Sequence, residues 1–277
     1  MKNQIDLDTK TSDHRGLSGI FEWTLRNFKV AMHLIMLMPL YALGAVVIGT
    51  CLVPGISLFQ KISELTANQT AIVQYFGHGF SIAAGYFLYG FSLIFVIPCI
   101  NFLLRIRLKE WRGPYYSLES FKWYIHNGLT YLVRFTFLEF ITPTPFSLYF
   151  YQMMGMKIGK GTIINSTWIS DPSLIEMGKK VTIGGSVTIV AHYGQGGMLI
   201  IAPVKIGDEC TIGIKSTIMG GSVIGERAKV LPHSVVMPKT IIPAGELWGG
   251  VPARKIGASL SESVVENNTL SVAKKSS

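Results

Sequence analysis

Residues 204–236 read VKIGDECTIGIKSTIMGGSVIGERAKVLPHSVV. An aliphatic side chain recurs at Ile206, Ile212, Ile218, Ile224, Val230 and Val236, six positions apart each time. A helix face recurs about every 3.6 residues and a strand face every 2, so neither element alone explains the count. A period of six fits a chain that coils with three flat faces per turn. Each face takes a short strand and a turn, and one large aliphatic side chain per face fills the interior. Three sixes make a coil of about eighteen residues, a parallel β-helix. Four places after each aliphatic, a second and cramped interior slot is then expected. Those places hold Cys210, Ser216, Ser222, Ala228, Ser234 and Thr240, all small. Glycine follows the aliphatic at Gly207, Gly213 and Gly225, as expected of a turn that needs an unusual backbone conformation.

Outward from this stretch, the count continues through Ile242 and Trp248, which places Trp248 in the core. Upstream, Ile158 and Ile164 fit, a one-residue slip follows, and Met177, Ile183 and Ile189 resume it. The step from Ile189 to Ile206 is seventeen residues, HYGQGGMLIIAP among them, and the register is lost. Something other than plain wall is built there.

The amino-terminal half is of another kind. The chain of 277 residues is 49% hydrophobic and only 15% charged, against a usual charged share of about 25%, and its mean hydropathy is +0.39. Ala31 to Val53 (AMHLIMLMPLYALGAVVIGTCLV) and Ile82 to Leu104 (IAAGYFLYGFSLIFVIPCINFLL) carry no formal charge, and each is long enough to span a bilayer. Buried core helices are the alternative, but core helices of this length seldom lack charge altogether. Arg15, Arg26 and Lys29 precede the first stretch, and Arg105, Arg107, Lys109 and Arg112 follow the second. The connection from Pro54 to Ser81 carries only Lys61. Counting positive charge puts both ends of this hairpin, and all that follows, in the cytoplasm. Residues 115–152, dense in aromatics with interspersed charge, are expected as amphipathic helices at headgroup level or as a neck for the next domain, broken at Thr142-Pro143-Thr144-Pro145.

The net charge of +9 suits anionic lipid or a phosphate-bearing substrate. No basic tract with interleaved aromatics occurs, which argues against nucleic acid. Cys51, Cys99 and Cys210 have no paired spacing, so neither a disulfide framework nor a zinc site is expected. No P-loop, GxSxG or HExxH occurs.

The aliphatic–small hexad resembles the hexapeptide-repeat acyltransferases, whose solenoid is a left-handed parallel β-helix; the resemblance covers residues 156–256. A closer likeness, over residues 80–256, is to the membrane-anchored terminal region of ε-poly-lysine synthetase-type enzymes. It rests on RGPYYSLESFKWYIHNG, LYFYQMMGMKIGKGTI, DPSLIEMGKKVTIGG, VAH and ELWGGVPARKI. The resulting division is a cytoplasmic segment 1–29, a transmembrane helical hairpin 30–112, interfacial or neck helices 113–155, a left-handed β-helix 156–256, and a polar tail 257–277 expected to be disordered.

Acyl transfer from a thioester needs a base for the acceptor's proton, and histidine suits neutral pH. Of six histidines, His14 lies in the polar leader, His33 and His78 in or near apolar segments, and His126 in the aromatic stretch. Only His192 and His233 lie on the solenoid. His192 falls where the repeat breaks, in VAHYGQGGM, and the resembled family projects an active-site histidine beside such a loop. His192 is therefore the candidate base; the alternative is a corner histidine facing water, the reading that suits His233. Asp171 and Glu176, flanking the slip in SDPSLIEMG, are candidates for the carboxylate that orients a base, although Glu176 could simply face water.

The resemblance implies an acyl thioester as co-substrate, acetyl-CoA by family frequency, with no permanently bound cofactor and no metal. WGGVPARKI resembles the ending of hexapeptide acetyltransferases, in which backbone amides and basic residues of the last coils contact coenzyme A. Arg254, Lys255 and Lys239 are the matching cations here, and Gly220 and Gly221 could admit the pantetheine arm. γ-Class carbonic anhydrases share the solenoid but use three histidines, and only two are available.

The family also implies a homotrimer. The expected function is an inner-membrane acyltransferase that acts from the cytoplasm on a hydroxyl or amine of a lipid-associated glycan or surface-polymer precursor. Its acyl group would come from coenzyme A or an acyl-carrier protein. An aminoacyl-condensing enzyme fed by a carrier protein and a non-catalytic membrane scaffold are the alternatives.

Overall fold

A computed structural model describes residues 15–256; His14, the polar tail from residue 257, and the side chains of Arg26, Lys29 and His33 lie outside the described residues. Two compact units form. One is the helical part up to Gly155 together with Ser170–Ser173 and Gly194–Ile200; the other takes the remaining carboxy-terminal residues.

In the helical unit, α1 (Leu17–Asn27) precedes two long apolar helices, α2 (Lys29–Thr66) and α3 (Ala71–Leu103). Both are long and apolar enough to cross a membrane. The connection expected over 54–81 is largely helical instead, and only residues 67–70 lie outside the two helices. Pro54 sits inside α2, where lost backbone bonding can be re-satisfied locally. The pair packs closely: a Cβ on Gly55 would stand 3.0 Å from Gly85 Cα, the backbone approach that small residues permit.

After α3 come α4 (Leu118–Val133), a π-helical turn at Arg134–Leu138, α5 (Glu139–Ile141) and α6 (Pro145–Met153). Ser117 caps α4 by accepting from the Ser120 amide at 3.2 Å. The helical run ends at Ile141 and resumes at Pro145, around the expected break. Phe137 packs onto Gly90, where any Cβ would overlap its ring.

The second unit is a parallel β-helix with three sheets. Ile206 pairs with Ile224, Ile212 with Val230 and Ile218 with Val236, each eighteen residues on. These aliphatics are buried, as are Cys210, Ser216, Ser222, Ala228 and Ser234 behind them, so the small slots are interior. Trp248 keeps the register opposite Val230 but is only half-buried. It closes the last coil, and its indole N–H donates to Glu246 Oε2 at 2.8 Å.

The glycines after the aliphatics serve a different purpose from the one expected. Gly207, Gly213 and Gly225 have no left-handed φ. What they require is room: a Cβ on each would stand 2.7, 2.4 and 2.5 Å from a backbone nitrogen of the next coil. The left-handed turn falls two residues later, at Lys180, Ser186, Glu209, Lys215, Arg227, His233 and Lys239, with φ between 54° and 60°.

Candidate active site

The slip and the gap in the hexad both fall on one kind of connection, the one leading from the third face to the first face of the next coil. Ile158 pairs with Met177, nineteen residues on, and the extra residue falls in the coil containing the 3₁₀ turn Pro172–Leu174. Met177 pairs with Ile206, twenty-nine residues on. This longer coil contains two strands, His192–Gln195 and Met198–Ile201, joined by Gly196 and Gly197 at φ 56° and 73°. Two positive-φ residues between strands make the tight hairpin turn that suits strand twist. Ala202 N donates to Ala191 O at 2.8 Å across its base, and the wall then resumes in register.

His192 stands three residues after Ile189, the slot that elsewhere takes the left-handed turn. Here the chain instead stays extended and His192 opens the hairpin, half-buried. The corners of the next two coils pack against its base. A Cβ on Gly220 would stand 3.1 Å from both Ala191 C and His192 N. Gly221 N donates to Ala202 O and Pro203 O, each at 3.1 Å. Lys239 N donates to Gly220 O at 3.1 Å, and Lys239 Cγ lies 2.9 Å from where a Gly221 Cβ would be. The structure therefore brings His192, Gly220, Gly221 and Lys239 to one edge. The backbone that carries His192, two residues without side chains and an exposed cation share that edge.

The other nominated residues lie elsewhere. Arg254 and Lys255 form a short strand antiparallel to Leu247–Gly249 on the second face of the last coil. Lys255 Nζ donates to Glu246 Oε1 at 2.5 Å, and Arg254 donates to Ala253 O; Lys255 and the Trp248 indole hold the Glu246 carboxyl below its ordinary range. Glu176 pairs across coils with Lys157 at 2.6 Å and keeps 42% of its side chain exposed. The hydrogen bond from Lys157 holds its carboxyl below the usual range. His233 is an exposed left-handed corner.

Asp171 belongs to the helical unit and is fully buried. It accepts from Asn127 Nδ2 at 2.7 Å. Beside Asn127, His126 is also fully buried. Its Nδ1 donates to Asn101 Oδ1 at 3.0 Å, and Nε2 has no hydrogen-bond partner among the described residues. Burial pushes the imidazole down to about 4, against the opposing pull of the Asp171 charge. This cluster was not foreseen. The only local sign was an adjacent His-Asn pair within α4, and their partners lie 25 and 44 positions away.

A three-sheet β-helix of hexads with a hairpin at one corner defines the class: a hexapeptide-repeat solenoid. Residues 203–238 match the family described as bacterial transferase hexapeptide (six repeats). The chain is 31% identical over 158 residues to "Putative acetyltransferase YvoF" of Bacillus subtilis (strain 168), covering 53% of this chain and 90% of that protein. The chain belongs to the hexapeptide-repeat acyltransferase family. It is also 27% identical over 155 residues to the Delta-poly-L-ornithine synthetase of Acinetobacter baumannii (strain AB307-0294); this is 56% of the chain but spans only 11% of that relative's length. Among solved structures, it is similar to a hexapeptide-repeat acetyltransferase of Vibrio cholerae O1 biovar eltor complexed with acetyl coenzyme A. The identity is 30%, over 37% of this chain and 60% of that one, with a TM-score of 0.35.

Proposed function

We propose that the chain is a membrane-anchored acyltransferase. It moves an acyl group, acetyl by family, from a coenzyme A thioester to a hydroxyl or amine of a membrane-associated glycan or surface-polymer precursor. The observation that carries the reading is the edge at which His192 meets Gly220, Gly221 and Lys239. His192 takes the proton of the acceptor as its oxygen or nitrogen attacks the thioester carbonyl. Backbone amides hold the developing oxyanion. The tetrahedral adduct collapses with loss of the coenzyme A thiolate, which recovers the proton from the imidazolium. Gly220 and Gly221 let the next coils close against the backbone of His192 and bring Lys239 to the same edge, where a pantetheine arm would run along the outside of the wall and Lys239 supplies charge for phosphate. The two apolar helices with their basic flanks support a reading in which the solenoid lies in the cytoplasm, where the thioester is made, and the family supports assembly as a trimer.

The test is transfer of radiolabel from acetyl-CoA to membrane extract. His192→Ala is expected to lower the rate by about 100-fold or more, the scale of a lost general base. Coenzyme A affinity should stay within roughly threefold, under about 1 kcal/mol. An unchanged rate in this variant removes His192 from the chemistry.

The similarity to the ornithine synthetase favours a second reading, condensation of an aminoacyl group. The mass added to the acceptor separates the two.

A further inference from the structure

Below the carboxy-terminal end of α3, the helical unit forms an open cavity of about 890 Å³, within the range of small-molecule sites. Among the described residues, its polar side chains are those of Asn101, Arg105, Arg107 and Ser173, and none is Asp or Glu. Each of these side chains can donate a hydrogen bond, and two are cationic. Arg105 turns the chain with φ 49°, and the next residues run extended with Ile106 and Leu108 buried while Arg105 and Arg107 are exposed. Both arginines line the cavity, beside Ile106 and Leu108. Asn101 has its Oδ1 occupied by His126 Nδ1–H, which leaves its amide N–H groups to donate. Ser173 Oγ is buried without a hydrogen-bond partner among the described residues. The remaining wall is apolar, with Phe102 and Met154 among its members.

Donor-bearing side chains, two of them cationic and none anionic, match a phosphate ester, which offers acceptors and negative charge. Apolar walls beside them match a hydrocarbon chain. We propose that this cavity seats the phosphate headgroup of a lipid, with Arg105 and Arg107 on the phosphate oxygens and the first part of its chain along the apolar wall. This rests on the membrane-anchored reading above and names the acceptor class it serves: a precursor carried on a lipid phosphate.

The test uses the purified full chain in neutral detergent, with dioleoyl phosphatidic acid as the probe and native mass spectrometry as the readout. Saturable binding of one lipid is expected, with dioleoylglycerol failing to bind and millimolar inorganic phosphate failing to displace it. The double variant Arg105→Gln/Arg107→Gln should weaken binding at least tenfold, the loss expected for charge-assisted hydrogen bonds. Lys109→Gln/Arg112→Gln, which removes the same charge outside the cavity, should leave binding within about twofold. Equal loss in both doubles would reduce the effect to diffuse attraction and overturn the site. So would the absence of binding by a chain whose size-exclusion profile and helical circular dichroism are intact, or full displacement by inorganic phosphate. Anchorage is read separately, by whether the chain stays in the pellet after a carbonate wash of membranes.

Discussion

Burial of His126 ties the folded state to pH. The unfolded imidazole takes up its proton near pH 6.5, and the folded one only near 4. Between those values the unfolded chain binds more protons, so stability present above pH 6.5 is lost as pH falls toward 4. The whole span is on the order of 3 kcal/mol. The melting temperature is therefore expected to drop between pH 7.5 and pH 5, and to drop less in His126→Gln. Asp171 and His192, both nominated as catalytic groups, should behave in opposite ways. Asp171→Ala strands the buried Asn127 amide and should cost about 1–3 kcal/mol of stability, read by thermal melts. His192→Ala should lower the rate of transfer and leave the melt alone. The sequence could bring Asp171 to notice only by its nearness to the slip. Its hydrogen-bond partner Asn127 sits 44 positions upstream on another element, and no local pattern encodes that pairing.

The elements of the solenoid were the most legible part, because one rule repeats and each repeat checks the last. Ile206 to Ile242 and the small residues behind them could be placed in the interior from spacing alone. The glycines were misread because one residue type solves two problems. Gly225 looked like a turn residue, yet what excludes a side chain there is the backbone of the next coil, 2.5 Å from any Cβ. Gly225→Ala should therefore destabilise by about 1–3 kcal/mol through overpacking, measured by denaturant unfolding. Arg227, at φ 57°, sits where the unusual backbone lies. The hairpin escaped because periodicity is the signal and there it stops. Gly196-Gly197 between two short strands was the available sign of a tight turn.

For the whole molecule, hydropathy separated an apolar helical part from a repeating one, while the extent of the helices went beyond the uncharged windows. α2 runs on to Thr66 and α3 begins at Ala71, since polar residues at a helix end are no bar to helix. On the anchored reading, protease added to inside-out vesicles should remove the solenoid and protease added to right-side-out vesicles should not, as judged by an immunoblot against the carboxy-terminal tail.

The coil that departs from the repeat carries one further consequence. Ile189 still stands under Ile218, and Met177 under Ile206, although eleven additional residues intervene. The corner thus behaves like a socket: the sheets above and below keep their register across whatever length is plugged in. What the inserted segment must still supply is cover for the coils, since its returning strand Met198–Ile201 is buried throughout.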